Sequence, residues 1–185
     1  MKEILEKTLQ ELEITQREFW NIPRQTGNFL NMLIKMRQSK KMLEIGTSNG
    51  YSGLWFLDAL EKTSGVLTTI EYYDERQKIA RDNFDKCGFK NSYEPLIGSA
   101  TEVIKNFDKT LEFDFVFIDA NKREYIEYFN LIKPHLTKNA IITADNVNSH
   151  REKVQPFLDA IMNDDDFQTE ILDLPGGLSV SYKLN

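Results

Sequence analysis

The polar and apolar positions of this chain follow two periods. Short runs of consecutive apolar residues predict buried β-strands, and segments with apolar residues three or four positions apart predict amphipathic helices. From residue 41 onward the two types follow each other, which is the pattern of parallel βαβ units. Strands are predicted at residues 41–45, 66–71, 92–97, 113–118 and 140–144, and helices at residues 52–60, 74–86, 101–107, 124–136 and 154–162. The helix at 74–86 carries Asp74 as its predicted N-cap and Gly88 as the residue after its C-cap.

The two ends of the chain depart from this alternation. Helical spacing predicts a helix over the first 14 residues and another at 26–36, separated by Asn21-Ile22-Pro23. At the other end, strand-like segments at 167–174 and 178–184 are joined by Pro175-Gly176-Gly177, which predicts an antiparallel hairpin. We therefore expect one α/β domain over residues 1–185. Helices at 1–38 precede a core at 40–185, which is a doubly wound, mostly parallel seven-stranded sheet with an antiparallel C-terminal hairpin.

Composition and charge narrow the class of protein. The chain has 185 residues, is 41% hydrophobic and carries a net charge of −6, as an ordinary acidic globular domain does. That balance gives no general attraction to nucleic acid or to anionic lipid. A local basic patch comprises Lys35, Arg37, Lys40 and Lys41. It either docks RNA or is a solvated helix end, and we favour the solvated helix end. The single cysteine, Cys87, excludes a disulfide framework within the chain. Because no signal peptide or membrane-spanning run is found, we expect a cytoplasmic protein without a membrane partner.

A glycine-containing turn follows the first predicted strand and gives the first candidate site. The spacing Gly46-x-x-x-Gly50 differs from the dinucleotide pattern G-x-G-x-x-G, although such a turn serves NAD, FAD or S-adenosylmethionine, or no ligand at all. The second strand ends in Glu71, a suitable acceptor for a ribose diol. The third strand ends at Gly98-Ser99-Ala100, small residues against which an adenine can lie. These features favour S-adenosylmethionine.

Polar residues at the ends of the fourth and fifth strands give a second candidate site. Asp119 follows one strand, and Asp145 and Asn146 follow the next. Since neighbouring parallel strands end at the same edge of a sheet, these oxygen donors are expected to converge, and such donors suit a hard ion such as Mg²⁺. The alternative is that Asp and Asn simply begin loops, as they often do. Lys122 lies three residues after Asp119 and is a further candidate for this site. The alternative is that it is an exposed lysine at the start of a helix.

These residues together resemble a class I methyltransferase, the Rossmann-like fold of the catechol and caffeoyl-coenzyme-A O-methyltransferases. The resemblance spans roughly residues 20 to 185, and no single motif carries it. The matching residues are Leu43 to Thr47, Gly50 to Ser52, Glu71, Phe117 to Lys122, Tyr125, Asp145 and Asn146.

The resemblance implies a role for each candidate residue. Gly46 and Ser52 would contact the methionine end of S-adenosylmethionine, with Glu44 helping to hold it. Glu71 would accept both ribose hydroxyls, and Ala100 with Ser99 would border the adenine. Ile22 would flank the cofactor or the substrate, the alternative being a core contact. Asp119 would serve the cofactor and, with Asp145 and Asn146, a Mg²⁺ ion, while Lys122 would act as general base.

The chain also departs from the family pattern. Asn121 stands where the family usually has Asp, and Pro175-Gly176-Gly177-Leu178 lacks the acid that many relatives have after the first glycine. The segment 147–151 is brief, so the acceptor pocket is expected to be open. His150 and Arg151 either line it or begin a solvated helix.

The expected activity is methyl transfer to a hydroxyl beside a second oxygen donor, as in a catechol. The alternative within this chemistry is a hydroxyuridine in tRNA, which some bacterial relatives methylate. Two other classes are a cofactor-binding protein without catalysis and a nicotinamide oxidoreductase. Relatives often form dimers, and the amphipathic first helix and the hairpin edge allow a homodimer here.

Overall fold

A single mixed sheet of seven strands organises the part of the chain that the computed structural model describes, residues 2–185. The spatial order is β3-β2-β1-β4-β5-β7-β6, and β7 runs in the direction opposite to that of the other six strands. The α/β doubly wound sheet with a C-terminal hairpin is therefore confirmed. The strands are β1 Lys41–Ile45, β2 Val66–Glu71, β3 Tyr93–Ile97, β4 Phe113–Ile118, β5 Leu136–Asp145, β6 Phe167–Leu172 and β7 Leu178–Lys183.

Helices cover both faces of this sheet. They are α1 Glu3–Ile14, α2 Gln16–Phe19, α3 Arg24–Arg37, α4 Tyr51–Thr63, α5 Asp74–Lys86, α6 Ala100–Lys105, α7 Tyr125–Ile132 and α8 Arg151–Met162. The side chains of β4 alternate between two buried clusters. Phe115 and Phe117 pack with α1, α3, α4 and α5, whereas Val116 and Ile118 pack with α6, α7 and α8. A strand buried on both faces needs the continuous apolar run that the sequence shows. No helix among residues 2–185 has both the length and the apolar character needed to cross a membrane.

The chain between the fourth and fifth strands differs from the expectation of one helix to residue 136. The α-helix ends at Ile132, and a 3₁₀ turn over Lys133–His135 contains Pro134. Strand β5 begins at Leu136, four residues earlier than predicted, and its pairing with β4 shifts register near Phe113. The early part of β5 is polar and partly exposed, so it lacks the apolar signal by which strands are recognised.

The ends of α5 show one wrong and one confirmed expectation. Tyr73, not Asp74, is the N-cap, and Asp74 is the first helical residue, where its negative charge still favours the helix dipole. Gly88 follows the C-cap with φ +87°. The N–H of Phe89 donates to the carbonyl of Phe84 at 3.0 Å, the hydrogen bond of a glycine-terminated helix.

Candidate active site

A cavity of about 1210 Å³ opens at the carboxyl ends of β1, β2, β4 and β5. This is the edge at which ligands bind in doubly wound sheets. Of the residues predicted for the site, all but Glu44 line this cavity. They are Ile22, Gly46, Ser52, Glu71, Ser99, Ala100, Asp119, Lys122, Asp145 and Asn146.

The turn after β1 requires glycine at Gly46. This residue has φ +105°, and a Cβ atom placed there would lie 2.4 Å from the carbonyl oxygen of Asp119. The ends of β1 and β4 are held together by the Asp119 N–H, which donates to the Ile45 carbonyl at 2.9 Å. Any side chain at Gly46 would therefore separate the cofactor turn from the loop that carries Asp119 and Lys122.

Glu44 lies behind the cavity wall. Its side chain is completely buried and accepts hydrogen bonds from the hydroxyls of Ser52 and Thr69, each at 2.5 Å. Burial raises the pKa of this carboxyl to about 8 despite the two hydroxyl donors. Ser52 is itself on the wall, so Glu44 reaches the cavity through Ser52.

Glu71 presents a fixed carboxylate at the end of β2. One oxygen accepts the backbone N–H of Ser48 at 2.7 Å, and the other accepts that of Tyr73 at 3.0 Å. A carboxylate oxygen has capacity for more than one donor, so two ligand hydroxyls can still bind. This arrangement suits the adjacent hydroxyls of a ribose.

The remaining cofactor candidates take up ordinary structural roles as well. Ile22 is buried in the cluster that contains α3 and α4 and also lines the cavity, so the core contact is observed and the contact with a ligand stays a prediction. Ser99 is the N-cap residue of α6, and its hydroxyl lies 2.8 Å from that of Thr101. Ala100 follows it as the first helical residue, and both line the cavity.

Lys122 and Asp119 form an ion pair on the cavity wall. The Nζ atom of Lys122 also lies 5.4 Å from the centre of the Tyr125 ring. Tyr125 is buried beneath them, and its hydroxyl lies 3.2 Å from the carbonyls of both Ile118 and Asp145. The Tyr125 hydroxyl thus bridges the ends of β4 and β5.

Asp145 is a buried carboxylate with an unused acceptor. Its Oδ1 atom is inaccessible to solvent and has no hydrogen-bond partner within residues 2–185. Burial and the nearby negative charge of Asp119 raise its pKa to about 8. An orphaned buried carboxylate oxygen costs free energy unless a cation or a donor reaches it.

Asn146 completes the polar set from a constrained position. It has φ +63°, and its Nδ2 atom would lie 2.9 Å from a Cβ atom placed on Gly176. The turn Pro175–Gly177 therefore packs tightly against the loop after β5, where its carbonyls accept the N–H groups of Val147, Asn148 and Ser149. Within residues 2–185, no cluster of three His, Cys, Asp or Glu side chains is suited to a metal. A cation here would depend on two carboxylates and one amide, and the oxygen-only donor set with the orphaned Asp145 Oδ1 fits a hard ion.

The structure adds wall residues that sequence reasoning did not identify. They lie on the N-terminal segment, in the turn after β1, directly after β2 and in the first turn of α5. They include Phe19, Trp20, Ser48, Tyr72, Tyr73 and Arg76. In the sequence, the position of Tyr72 and Tyr73 directly after Glu71 is the one feature that indicates a place in the cavity wall. His150 also lines the cavity, whereas Arg151 does not.

Comparison with known proteins gives consistent matches. Residues 1–167 match the family model described as O-methyltransferase. The chain is 36% identical over 123 residues to a catechol O-methyltransferase of Niastella koreensis, a match covering 65% of this chain and 55% of that protein. The chain therefore spans just over half the length of the curated relatives that it matches in sequence.

Solved structures match over nearly the whole chain. An O-methyltransferase from Bacillus cereus, solved with S-adenosylhomocysteine, is 25% identical with a TM-score of 0.86, covering 99% of this chain and 91% of that one. TomG, an O-methyltransferase from Streptomyces achromogenes involved in tomaymycin synthesis and solved with S-adenosylmethionine, is 26% identical with a TM-score of 0.86, covering 100% and 91%. With the sheet order, the glycine turn and a family match over most of its length, this chain belongs to the O-methyltransferase family.

Proposed function

We propose that this protein transfers the methyl group of S-adenosylmethionine to a hydroxyl group of a catechol-like small molecule. One observation carries the proposal: a single cavity is lined both by the glycine turn with Glu71 and by Lys122 with Asp119, Asp145 and Asn146. The residues proposed to bind the cofactor and those proposed to act in methyl transfer therefore face the same cavity. The ligands of the Bacillus cereus and Streptomyces achromogenes structures support the choice of cofactor.

The chain's own residues divide the work of holding the cofactor. Glu71 accepts the ribose hydroxyls, because its two oxygens are already fixed by backbone N–H groups. Gly46 allows close approach of a ligand to the backbone, since no Cβ atom blocks the turn. Ser52, fixed by Glu44, faces the methionine end, while Ser99 and Ala100 border the adenine.

A hard divalent cation such as Mg²⁺ would be held by Asp119, Asp145 and Asn146. When bound, it supplies positive charge that lowers the pKa of an adjacent acceptor hydroxyl. The buried, unpartnered Oδ1 of Asp145 supports this assignment, because a cation would satisfy it. A hydroxyl beside a second oxygen donor is the natural acceptor for such a site, and the curated relatives are named for catechol.

Lys122 is the proposed general base. It is held at the cavity wall by Asp119 and beside the Tyr125 ring, so it meets a ligand on the cavity side with little freedom to move. In the reaction, Lys122 first gives a proton to water, and the freed lone pair of Nζ then accepts the proton that the acceptor hydroxyl loses as its oxygen takes the methyl group. Holding the two reactants in line supplies much of the rate enhancement.

The experiment compares Lys122→Met with Arg123→Met, its exposed neighbour outside the cavity wall. Methyl transfer from labelled S-adenosylmethionine is measured over catechols, and S-adenosylhomocysteine binding is measured by calorimetry. We expect Lys122→Met to lose about 100-fold or more in turnover, the usual range for a general base, while it still binds the nucleoside. Arg123→Met should match the unchanged protein in both measurements. Full turnover in Lys122→Met would remove Lys122 from the mechanism.

Binding measurements and a tRNA arm separate this proposal from the other classes. Titration with NAD and with S-adenosylhomocysteine is expected to show binding of the latter only. Binding of NAD alone would refute the cofactor assignment. Bulk tRNA is included as an acceptor in the methyl-transfer assay. Transfer of label to tRNA and not to any catechol would show that the acceptor is tRNA and not a catechol.

A further inference from the structure

A cationic side chain lies among aromatic rings at one side of the cavity. The guanidinium carbon of Arg76 is 5.0 Å from the centre of the Trp20 ring, 5.5 Å from that of Tyr73 and 6.0 Å from that of Phe19. No ion pair formed within residues 2–185 includes Arg76. The rings, which attract a cation through their electron-rich faces, take the place of a carboxylate.

Trp20 is held in this arrangement by a strained turn. Its backbone is left-handed, with φ 54° and ψ 37°, which is unfavourable for a bulky residue. Its N–H donates to the carbonyl of Gln16, and the Asn21 side chain fixes the turn by donating to the Leu12 carbonyl at 3.1 Å. The side chain is nevertheless 74% exposed, although it lines the cavity. A large apolar ring is thus presented to water beside a ligand site.

Two hydrogen-bonded paths connect the residues that carry these rings to Glu71. The Ser48 N–H that donates to Glu71 belongs to a residue whose hydroxyl donates to the Phe19 carbonyl at 2.9 Å. The other N–H donor to Glu71 is that of Tyr73, whose ring faces Arg76. Both oxygens of the carboxylate are therefore positioned by groups that contact the Arg76 cluster.

We infer that Phe19, Trp20, Tyr73 and Arg76 form a clamp that holds the segment Gln16–Pro23 over the nucleoside end of the cofactor. Arg76 is a positioning residue within it, since it acts through the rings and through Glu71. The inference rests on the proposed function, which makes Glu71 the ribose acceptor. A bound nucleoside covers Trp20 and excludes water from the clamp, and a cation–aromatic contact strengthens when it is desolvated.

Tryptophan fluorescence tests the clamp without any turnover. The chain has two tryptophans, and the second, Trp55, is buried. Acrylamide should quench Trp20 in the free protein and quench it less once S-adenosylhomocysteine is bound. In Trp20→Phe the remaining emission should show no such protection.

Calorimetric titration with S-adenosylhomocysteine tests the role of Arg76. We expect Arg76→Ala to bind about fivefold to tenfold more weakly, which corresponds to the strengthening of one cation–aromatic contact when the ligand desolvates it. Arg76→Lys should recover part of the loss because it keeps the charge. The matched control is Lys78→Ala, an exposed lysine on the same helix outside the cavity, which should bind as the unchanged protein does. Melting temperatures of all variants are measured to show that they fold.

The outcomes separate this inference from the function on which it rests. Failure of the unchanged protein to bind S-adenosylhomocysteine overturns both. Normal binding by the unchanged protein and by Arg76→Ala, with no ligand protection of Trp20, overturns the clamp and leaves the proposed function standing.

Discussion

At the scale of single residues, the site depends on carboxylates placed where water cannot reach them. Glu44 and Asp145 both have a raised pKa, but for different combinations of causes. Glu44 is desolvated and is only partly compensated by two hydroxyls, whereas Asp145 also faces the negative charge of Asp119. In the free protein each buried charge is unfavourable in free energy, and binding of a ligand or a proton removes part of that cost.

The metal assignment predicts the behaviour of Asp145→Asn on heating. Mg²⁺ should raise the melting temperature of the unchanged protein, because a ligand that binds only the folded state stabilises it. In Asp145→Asn that rise should disappear, while the metal-free variant stays at least as stable, since a buried carboxylate beside Asp119 is gone. Asp82→Asn, an exposed change on α5, is the control and should keep the full rise. Equal Mg²⁺ stabilisation of all three proteins would contradict the assignment.

The raised pKa of Glu44 predicts a pH dependence of folding. Glu44 ionises near 4.5 when unperturbed and near 8 in the folded chain. Between these values the folded state keeps a proton that the unfolded chain has lost, so the free energy of unfolding falls as pH rises, by at most about 1.4 kcal/mol per unit. Glu44→Gln has no such proton, and its melting temperature relative to the unchanged protein should increase from pH 5 to pH 8.5. If the melting temperatures of the two proteins change in parallel over that pH range, Glu44 does not cause the pH dependence.

The sequence predicts residues that the fold brings to one cavity, but it does not predict how deeply each is buried. Residue type and position at strand ends are enough to bring Glu71, Asp119 and Asn146 to one edge. That Glu44 lies behind Ser52 depends on how α4 packs over β1, and no local pattern encodes this. Trp20 and Arg76 are 56 positions apart, and only the folded N-terminal segment brings them together.

At the scale of elements, the junction of β1 with α4 determines whether the site exists. Gly46 has a left-handed backbone and lies against the Asp119 carbonyl, whereas Gly88 has a similarly positive φ but open space around it. The pair therefore separates the cost of backbone conformation from the cost of crowding.

Alanine substitution at the two glycines measures this difference. Gly88→Ala should lower the free energy of unfolding by about 1 kcal/mol, the cost of a left-handed non-glycine residue. Gly46→Ala should cost that amount plus the displacement of the β4 end, in total about 3 kcal/mol or more, and should weaken S-adenosylhomocysteine binding. Denaturant unfolding measures both. Equal losses at the two positions would mean that the contact with Asp119 is unimportant.

Element prediction worked where burial dictated the pattern. Strand β4 is apolar throughout because both of its faces are covered, and its predicted bounds, 113–118, are those observed. The sequence does not predict the first residues of β5, because Thr137, Lys138 and Asn139 are partly or fully exposed and carry no apolar period. The sequence also does not predict the short helix α2, because four residues are too few to show a helical period of apolar positions.

At the scale of the whole molecule, the N-terminal helices complete the cavity. Arg24 at the start of α3 pairs with Glu6 and Glu13 of α1, and Glu13 accepts the hydroxyl of Tyr51 on α4 at 2.7 Å. These contacts attach the helices on either side of Trp20 and Ile22 to α4. The homodimer and the cytoplasmic location stay predictions, and β6 does lie at the edge of the sheet, where a partner strand could pair.

Methyl transfer with and without a chelator tests the central claim most directly. The purified protein is incubated with labelled S-adenosylmethionine and a panel of catechols, first with Mg²⁺, then with excess EDTA, then with Mg²⁺ restored. We predict that label enters a catechol hydroxyl, that EDTA abolishes the transfer, and that Mg²⁺ restores it. Transfer that proceeds unchanged in EDTA would contradict the metal site, and the absence of transfer to any hydroxylated acceptor would contradict the account as a whole.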